Sequence, residues 1–185
     1  MESVVIREKD DLSNVSSDTT EIEFVQFDLS VLDEEYLKNI ELHSITFTNM
    51  DVDLDDLNYD ISELSFYNCN IYHEDTLDRF LNLTTLEVTN YKVDCALFIN
   101  MRNLKSLNVN YSEVINCEEL KRFSCLEEIS IIGSSFDFSI LLGLNHLKTL
   151  IIDEAFLDKE KEVVRELSTR GVIIMNMMGG CYHVL

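Results

Sequence analysis

Proline and tryptophan are absent from this sequence, and the first of its five glycines is Gly133. The lack of Pro/Gly-rich stretches leaves no visible linker, so no internal domain boundary is placed. With no glycine before Gly133 there is no Gly-rich loop upstream to cradle a phosphate. Basic residues are also scarce. Against 35 Asp and Glu stand 14 Lys and Arg, a formal net charge of −21. Direct nucleic-acid binding needs clustered cations and is not expected. No run approaches the ~18 apolar residues of a membrane span. Residues 1–21 carry acidic side chains and no apolar core, so nothing resembles an export signal. Five cysteines, Cys69, Cys95, Cys117, Cys125 and Cys181, form an odd, scattered set without a C-x-x-C pair. Free thiols and an intracellular protein, cytoplasmic or nuclear, are therefore expected. Asn-x-Ser/Thr triplets at Asn14, Asn82 and Asn110 mean nothing without export. Frequent Asn, Ile, Asp and Tyr suggest an AT-rich genome, as in a large DNA virus or a low-GC microbe.

Catalytic constellations are missing as well. His43, His73, His146 and His183 are dispersed, and no nucleophile stands beside a base. Cys181-x-His183 offers two ligands where a metal needs at least three. Asp51–Asp60 opens as D-x-D-x-D, like a calcium loop. Its sixth position, however, is Asp56 where the loop needs Gly, and its twelfth is Ser62 where it needs Glu. A solvated turn accounts for it better. No enzyme activity, cofactor or metal is expected.

What the chain does contain is a period. Leu83-x-x-Leu86-x-Val88, Leu104-x-x-Leu107-x-Val109, Leu126-x-x-Ile129-x-Ile131 and Leu147-x-x-Leu150-x-Ile152 repeat about every 21 residues. Weaker copies stand upstream at Ile22-x-x-Val25-x-Phe27, Leu42-x-x-Ile45-x-Phe47 and Ile61-x-x-Leu64-x-Phe66. An eleventh position is also apolar in each: Leu32, Val52, Ile71, Val93, Val114, Phe136 and Leu157. The pattern resembles the leucine-rich repeat, whose unit reads L-x-x-L-x-L-x-x-N/C-x-L. The resemblance covers residues 22–157, with a remnant at Val172 and Ile174. The ninth position departs from it. Ser30, Met50, Cys69, Tyr91, Ser112, Ser134 and Ala155 stand where the family uses Asn or Cys to bond the turn between coils. Only Cys69 matches, and the three serines offer a hydroxyl instead.

The resemblance implies an α/β solenoid, a horseshoe with a concave parallel sheet and short convex helices or turns. We expect an N-terminal cap or arm over 1–21, in which Val4 and Val5 begin a strand and Asp10–Glu21 is a loop. Seven repeats follow over 22–157. A capping helix, last strand and tail fill 158–185. Convex segments are expected at Asp33–Ile40, Glu74–Leu81, Asp94–Met101 and Glu118–Phe123. The final helix is read as Asp158–Thr169, capped by Asp158 and stopped by Gly171.

A strand alternates its faces, so positions three, five and seven of each repeat line the concave side. Position three gives Phe24, Ser44, Glu63, Thr85, Ser106, Glu128 and Thr149. Positions five and seven give the candidate partner-binding residues: Gln26, Asp28, Thr46, Thr48, Ser65, Tyr67, Glu87, Thr89, Asn108, Asn110, Ser130, Ile132, Ile151 and Asp153. Short hydroxyl and amide side chains with tyrosine suit a protein-binding surface. Ile132, Ile151, Ile173 and Met175, continued by Met177 and Met178, form an apolar strip that the tail from Gly179 is expected to cover.

Three functions remain open. The first is a non-enzymatic interaction module binding a protein through its concave face. The second is an acidic inhibitor or chaperone of a basic protein, using residues 1–80, which carry 21 acidic and 4 basic side chains. The third is self-association through Ile151, Ile173 and Met175.

Overall fold

The computed structural model describes residues 2–33, 36 and 41–182. With strands numbered in chain order, nine of them build one sheet among these residues. Its order is β1 (Glu2–Ile6), β2 (Thr19–Val25), β3 (Ser44–Thr48), β5 (Glu63–Tyr67), β7 (Thr85–Thr89), β9 (Ser106–Asn108), β11 (Glu128–Ser130), β12 (Thr149–Ile151) and β13 (Ile173–Met175). Every neighbouring pair is parallel. A parallel pair needs a crossover, and each repeat supplies one over the convex side.

The pleat sorts the side chains. Ile22, Ile45, Leu64, Leu86, Leu107, Ile129 and Leu150 form one buried row, and Phe24, Phe47, Phe66 and Val88 a second. In the second row the rings stack along the solenoid. Phe24 and Phe47 have centroids 5.7 Å apart, Phe47 and Phe66 5.6 Å. No coil could bury such a face alone, so stacking supplies the core.

After each strand the chain turns inward through a left-handed residue. Gln26, Asn49, Asn68, Asn90, Tyr111 and Gly133 all have φ between +51° and +64°. Asparagine and glycine tolerate this region best. Short convex strands follow: β4 (Asp51–Asp53) pairs with β6 (Asn70–Tyr72), and β8 (Lys92–Asp94) with β10 (Glu113–Ile115). They bring Val52, Ile71, Val93 and Val114 into the core. The return path is made of 3-10 turns, Leu54–Asp56, Glu74–Arg79, Cys95–Phe98, Cys117–Arg122 and Phe138–Gly143. Asp28, Asp53, Asp94 and Asp137 cap turns of this kind by accepting an N–H two residues on. Part of the acidity is thus structural, because an aspartate at such a cap satisfies an orphan donor. The expected convex segment Asp33–Ile40 lies mostly outside the described residues.

The first repeat is displaced from its expected register. Ile22 pairs with Ile45 and Phe24 with Phe47, so the unit reads Thr19-x-x-Ile22-x-Phe24. Thr19 is buried, and its Oγ1 accepts a hydrogen bond from the Ser16 N–H at 3.0 Å. A threonine thus fills a position held by leucine or isoleucine elsewhere, which hid the true start. An odd slip of three residues exchanges the two faces. Phe24, expected on the concave side, is fully buried, while Val25, expected in the core, faces outward and is half-buried. The stretch read as a loop, Asp10–Glu21, in fact contains the end of the 3-10 turn Lys9–Asn14 and the start of β2.

The ninth position works as a ladder where its chemistry allows. Ser112 Oγ donates to the Asn110 and Val88 carbonyls at 3.0 and 3.3 Å. Ser134 Oγ donates to the Ile132 carbonyl at 3.2 Å, to the Val109 carbonyl, and accepts from Ser112 N–H. Cys69 Sγ makes the same pair of contacts to Phe47 and Tyr67 carbonyls at 3.3 and 3.5 Å. Tyr91 reaches further, and its hydroxyl donates to Glu74 at 2.6 Å. In the corrected first repeat the position belongs to the buried Phe27.

At the C-terminal end, helices Glu154–Lys159 and Lys161–Thr169 close the core with Val164 and Leu167. The first helix starts earlier than expected. Its N-cap is Asp153, whose carboxylate accepts from Phe156 N–H at 3.3 Å, and Asp158 falls within it. Gly171, at φ +88°, ends the second helix and admits β13.

Candidate concave binding face

Eight of the expected binding residues share the outward face of the sheet and are half-exposed: Thr46, Thr48, Ser65, Tyr67, Glu87, Thr89, Asn108 and Ile151. Adjacent strands place equivalent residues about 4.8 Å apart. Tyr67 sits near the middle of β2–β7. Burial first, and then its hydrogen bond to Glu87, raise its hydroxyl well above the usual tyrosine range, so it remains a donor. Thr48 Oγ1 donates to Glu23 at 3.3 Å, and Ser106 Oγ to Glu128 at 3.1 Å.

Six expected residues are placed otherwise. Gln26 and Asp28 lie past the end of β2, because of the register slip. Gln26 is the left-handed turn residue, and Asp28 caps Leu29–Val31, where the Ser30 contacts hold its carboxyl below the usual range. Ser130 and Ile132 are buried. Asn110 Oδ1 accepts from Ser130 Oγ at 2.8 Å and from Ile132 N–H at 2.9 Å. Asp153 caps its helix with one oxygen and receives Gly133 N–H at 2.8 Å on the other. These side chains serve the backbone around them.

Glu21, Glu23 and Val25 take the outward places in β2 instead. A signal for them exists in the sequence. Asn49, Asn68 and Asn90 mark the left-handed position of three repeats, and the same offset from Thr19 falls on Gln26.

The C-terminal end of the face is apolar. Ile173, Tyr111, Met177 and Met178 are 51, 51, 62 and 90 % exposed. The tail turns back after Asn176, and Cys181 bridges Met175 antiparallel while Tyr182 N–H donates to Ile174 at 2.8 Å. The described part of the tail therefore pairs the edge backbone of β13 and lies beside the half-buried Met175, while Ile173, Met177 and Met178, expected to be covered, are exposed; His183 lies outside the described residues. Tyr111 packs on Gly133, where an added Cβ would stand 2.6 Å from the ring. Its hydroxyl lies 4.0 Å from Met177 Sδ.

Elsewhere, Asp53, Asp55 and His73 bring potential metal-ligand atoms within 4.8 Å of one another. His73 Nδ1 lies 2.7 Å from Asp53 Oδ1, and Arg79 is 3.8 Å from Asp55. A fixed cation already faces this group, which reads as a convex ion-pair cluster. The Cys95 and Cys117 thiols are buried side by side. The Cys117 sulfur and burial push the Cys95 thiol up, which suits an inert core residue.

The fold is a leucine-rich-repeat solenoid. Internalin C2 from Listeria monocytogenes superposes with a TM-score of 0.53 at 15% identity, over 74% of this chain and 72% of that one. A second internalin of that organism, inlF, superposes with a TM-score of 0.61 at 19% identity. That match covers 92% of this chain but only 57% of the internalin, so this chain spans little more than half its length. No protein-family model and no curated protein sequence matches the chain. No described helix is long and apolar enough to cross a membrane.

Proposed function

We propose that this chain is a non-enzymatic protein-interaction module that holds its partner against the concave sheet. The observation that carries the reading is the outward row itself. Thr46, Ser65, Glu87 and Asn108 stand in register on adjacent strands, half-exposed, with Tyr67 beside them. Residues of these kinds exchange solvent contacts for partner contacts at small entropic cost, and tyrosine adds rigid apolar area. A repeat scaffold suits the role because each coil adds one strip of surface without altering its neighbours. All five cysteines are unpaired, which favours a reducing, intracellular setting.

A triple variant, Tyr67→Ala, Glu87→Ala and Thr89→Ala, tests the reading. Affinity capture from a lysate, with the wild type and a convex control (Asp75→Ala, Asp78→Ala) in parallel, should lose its specific partner only with the triple variant. The circular-dichroism spectrum should be unchanged. A partner retained by the triple variant and lost by the convex control would transfer the interface to the other side.

A further inference from the structure

The concave face is not uniform, and its two ends ask for different chemistry. Five glutamates stand at outward strand positions: Glu21 and Glu23 in β2, Glu63 in β5, Glu87 in β7 and Glu128 in β11. Among the described residues, no lysine or arginine occupies an outward position in the nine-stranded sheet. Four of the chain's cations pair with carboxylates away from this face. Lys92 pairs with Glu113, Arg122 with Glu119, Arg79 with Asp55 and Lys148 with Glu127. Hydroxyls of Thr48, Tyr67 and Ser106 orient three of the concave carboxylates. A neutral donor fixes a carboxylate without cancelling its charge, and each keeps lone pairs free to accept. Glu63 meets His43 Nε2 at 3.3 Å, and the other four pair with no lysine or arginine among the described residues, so the lining is an ordered array of carboxylates without a fixed internal cation. At the far end, across β12 and β13, the same face carries Ile151, Ile173 and Met175, extended by Met177 and Tyr111.

We infer that the partner presents an extended segment lying across the strands, with Lys or Arg side chains over β2 to β7 and an apolar side chain seated over β12 and β13. This rests on the concave-face reading above. From β2 to β13 there are seven strand steps, about 34 Å at the usual sheet spacing, or about ten residues of extended chain. Opposite charges steer such a segment to the groove. Guanidinium groups match carboxylates in bidentate geometry. The apolar end fixes its direction, because reversing the segment would place a cation over Ile173 and an apolar group among the glutamates. Specificity then comes from the unpaired charge left by the wrong orientation as much as from the contacts of the right one.

The probe is a displayed library of random peptides of about twelve residues, panned against the wild-type chain. Enriched sequences should carry Lys or Arg in one half and a bulky apolar residue in the other. The best of them, as a labelled synthetic peptide, should bind at least about tenfold more weakly to the Glu23→Gln/Glu87→Gln variant. It should lose a similar factor on Ile151→Ser/Ile173→Ser, and bind the charge-matched convex variant Asp75→Asn/Asp78→Asn unchanged. Its sequence-reversed form should bind poorly. Enriched peptides that lack basic residues yet still need Tyr67 and Thr89 would overturn the cationic partner and leave the concave reading standing. No enrichment, or peptides indifferent to every concave substitution, would overturn both. A chain that instead pairs with its own copies and is released by Ile173→Ser would assign the apolar end to self-association and sink the bipartite partner.

Discussion

The first half of the solenoid and the second are built from one repeat but use it differently. Strands β2, β3, β5 and β7 run for five residues or more, and β9, β11, β12 and β13 for three. In the longer strands Thr48, Tyr67 and Thr89 remain in the ladder and face outward. In the shorter ones the position-seven residues are drawn into local structure. Ile132 donates its N–H to the Asn110 side chain, its own side chain is buried, and Asp153 caps a helix. The cores differ as well. Stacked phenylalanines fill the first half, while valine and isoleucine with a serine ladder fill the second. An outward strand position is thus available to a partner only where the ladder already satisfies the backbone. Where it does not, a polar side chain is taken up by the nearest unpaired N–H.

The largest test of that contrast is in the core. Phe47 is fully buried between two other rings, and Phe47→Ala should cost about 3–5 kcal/mol. Val109, on the same inward row and equally buried, is a smaller side chain, and Val109→Ala should cost about 2 kcal/mol. Urea unfolding followed by circular dichroism measures both. Equal losses would mean that the aromatic spine contributes nothing beyond ordinary aliphatic packing.

The ladder gives a smaller difference in the opposite direction. Ser134→Ala removes the hydroxyl shared by the Val109 and Ile132 carbonyls and by Ser112 N–H. Leaving buried groups unsatisfied should cost about 1–3 kcal/mol. Cys69→Ala, the matching change in the first half, removes a weak thiol donor with contacts of 3.3 and 3.5 Å and should cost less. If Cys69→Ala proves the more damaging in the same urea series, hydroxyl bonding is not what holds the second half together.

The two halves were also unequally legible. From Leu42 onward the aliphatic spacing located the strands, their register and the buried rows, because a period-two pleat leaves one solution once three leucines are aligned. The first repeat was misread because Thr19 carries the place of a leucine, and a spacing of apolar residues cannot see a buried threonine. The outward residues of β3 to β9 followed from register alone. In the second half Ile151 followed as well, but the residues past the strand ends did not, since whether Asn110 points to a partner or to Ile132 N–H depends on a backbone geometry with no sequence mark. The convex segments expected at Glu74–Leu81, Asp94–Met101 and Glu118–Phe123 hold short 3-10 turns, whose bounds the sequence does not mark. The three to six residues of such turns are set by Asp caps and by the room left between coils, and are too few to show a period.

Charge pairing separates the halves a last time, and pH should expose it. In residues 1–80 only 4 basic side chains face 21 acidic ones, so a histidine is drawn into the work of a cation. The hydrogen bond that Asp53 accepts from its ring, followed by the Asp53 charge, raises His73 above its ordinary 6.5. In the second half a lysine does that work. Lys148 Nζ, 2.8 Å from Glu127, holds that carboxyl below its ordinary 4.5. The signs are opposite. A raised histidine contributes stability that is full below 6.5 and is lost as pH climbs through its folded value. A depressed glutamate contributes stability present above 4.5 and lost as pH falls through its folded value. Both groups are exposed, so the effects are small and best read site by site, from the His73 ring protons and the Glu127 side-chain carbons by NMR. His73 should titrate above 6.5 and return towards it in Asp53→Asn, while Glu127 is untouched by that change. A His73 that titrates at its ordinary value in the wild-type chain would remove the His73–Asp53 pair from solution and leave Arg79 as the counter-charge of that cluster.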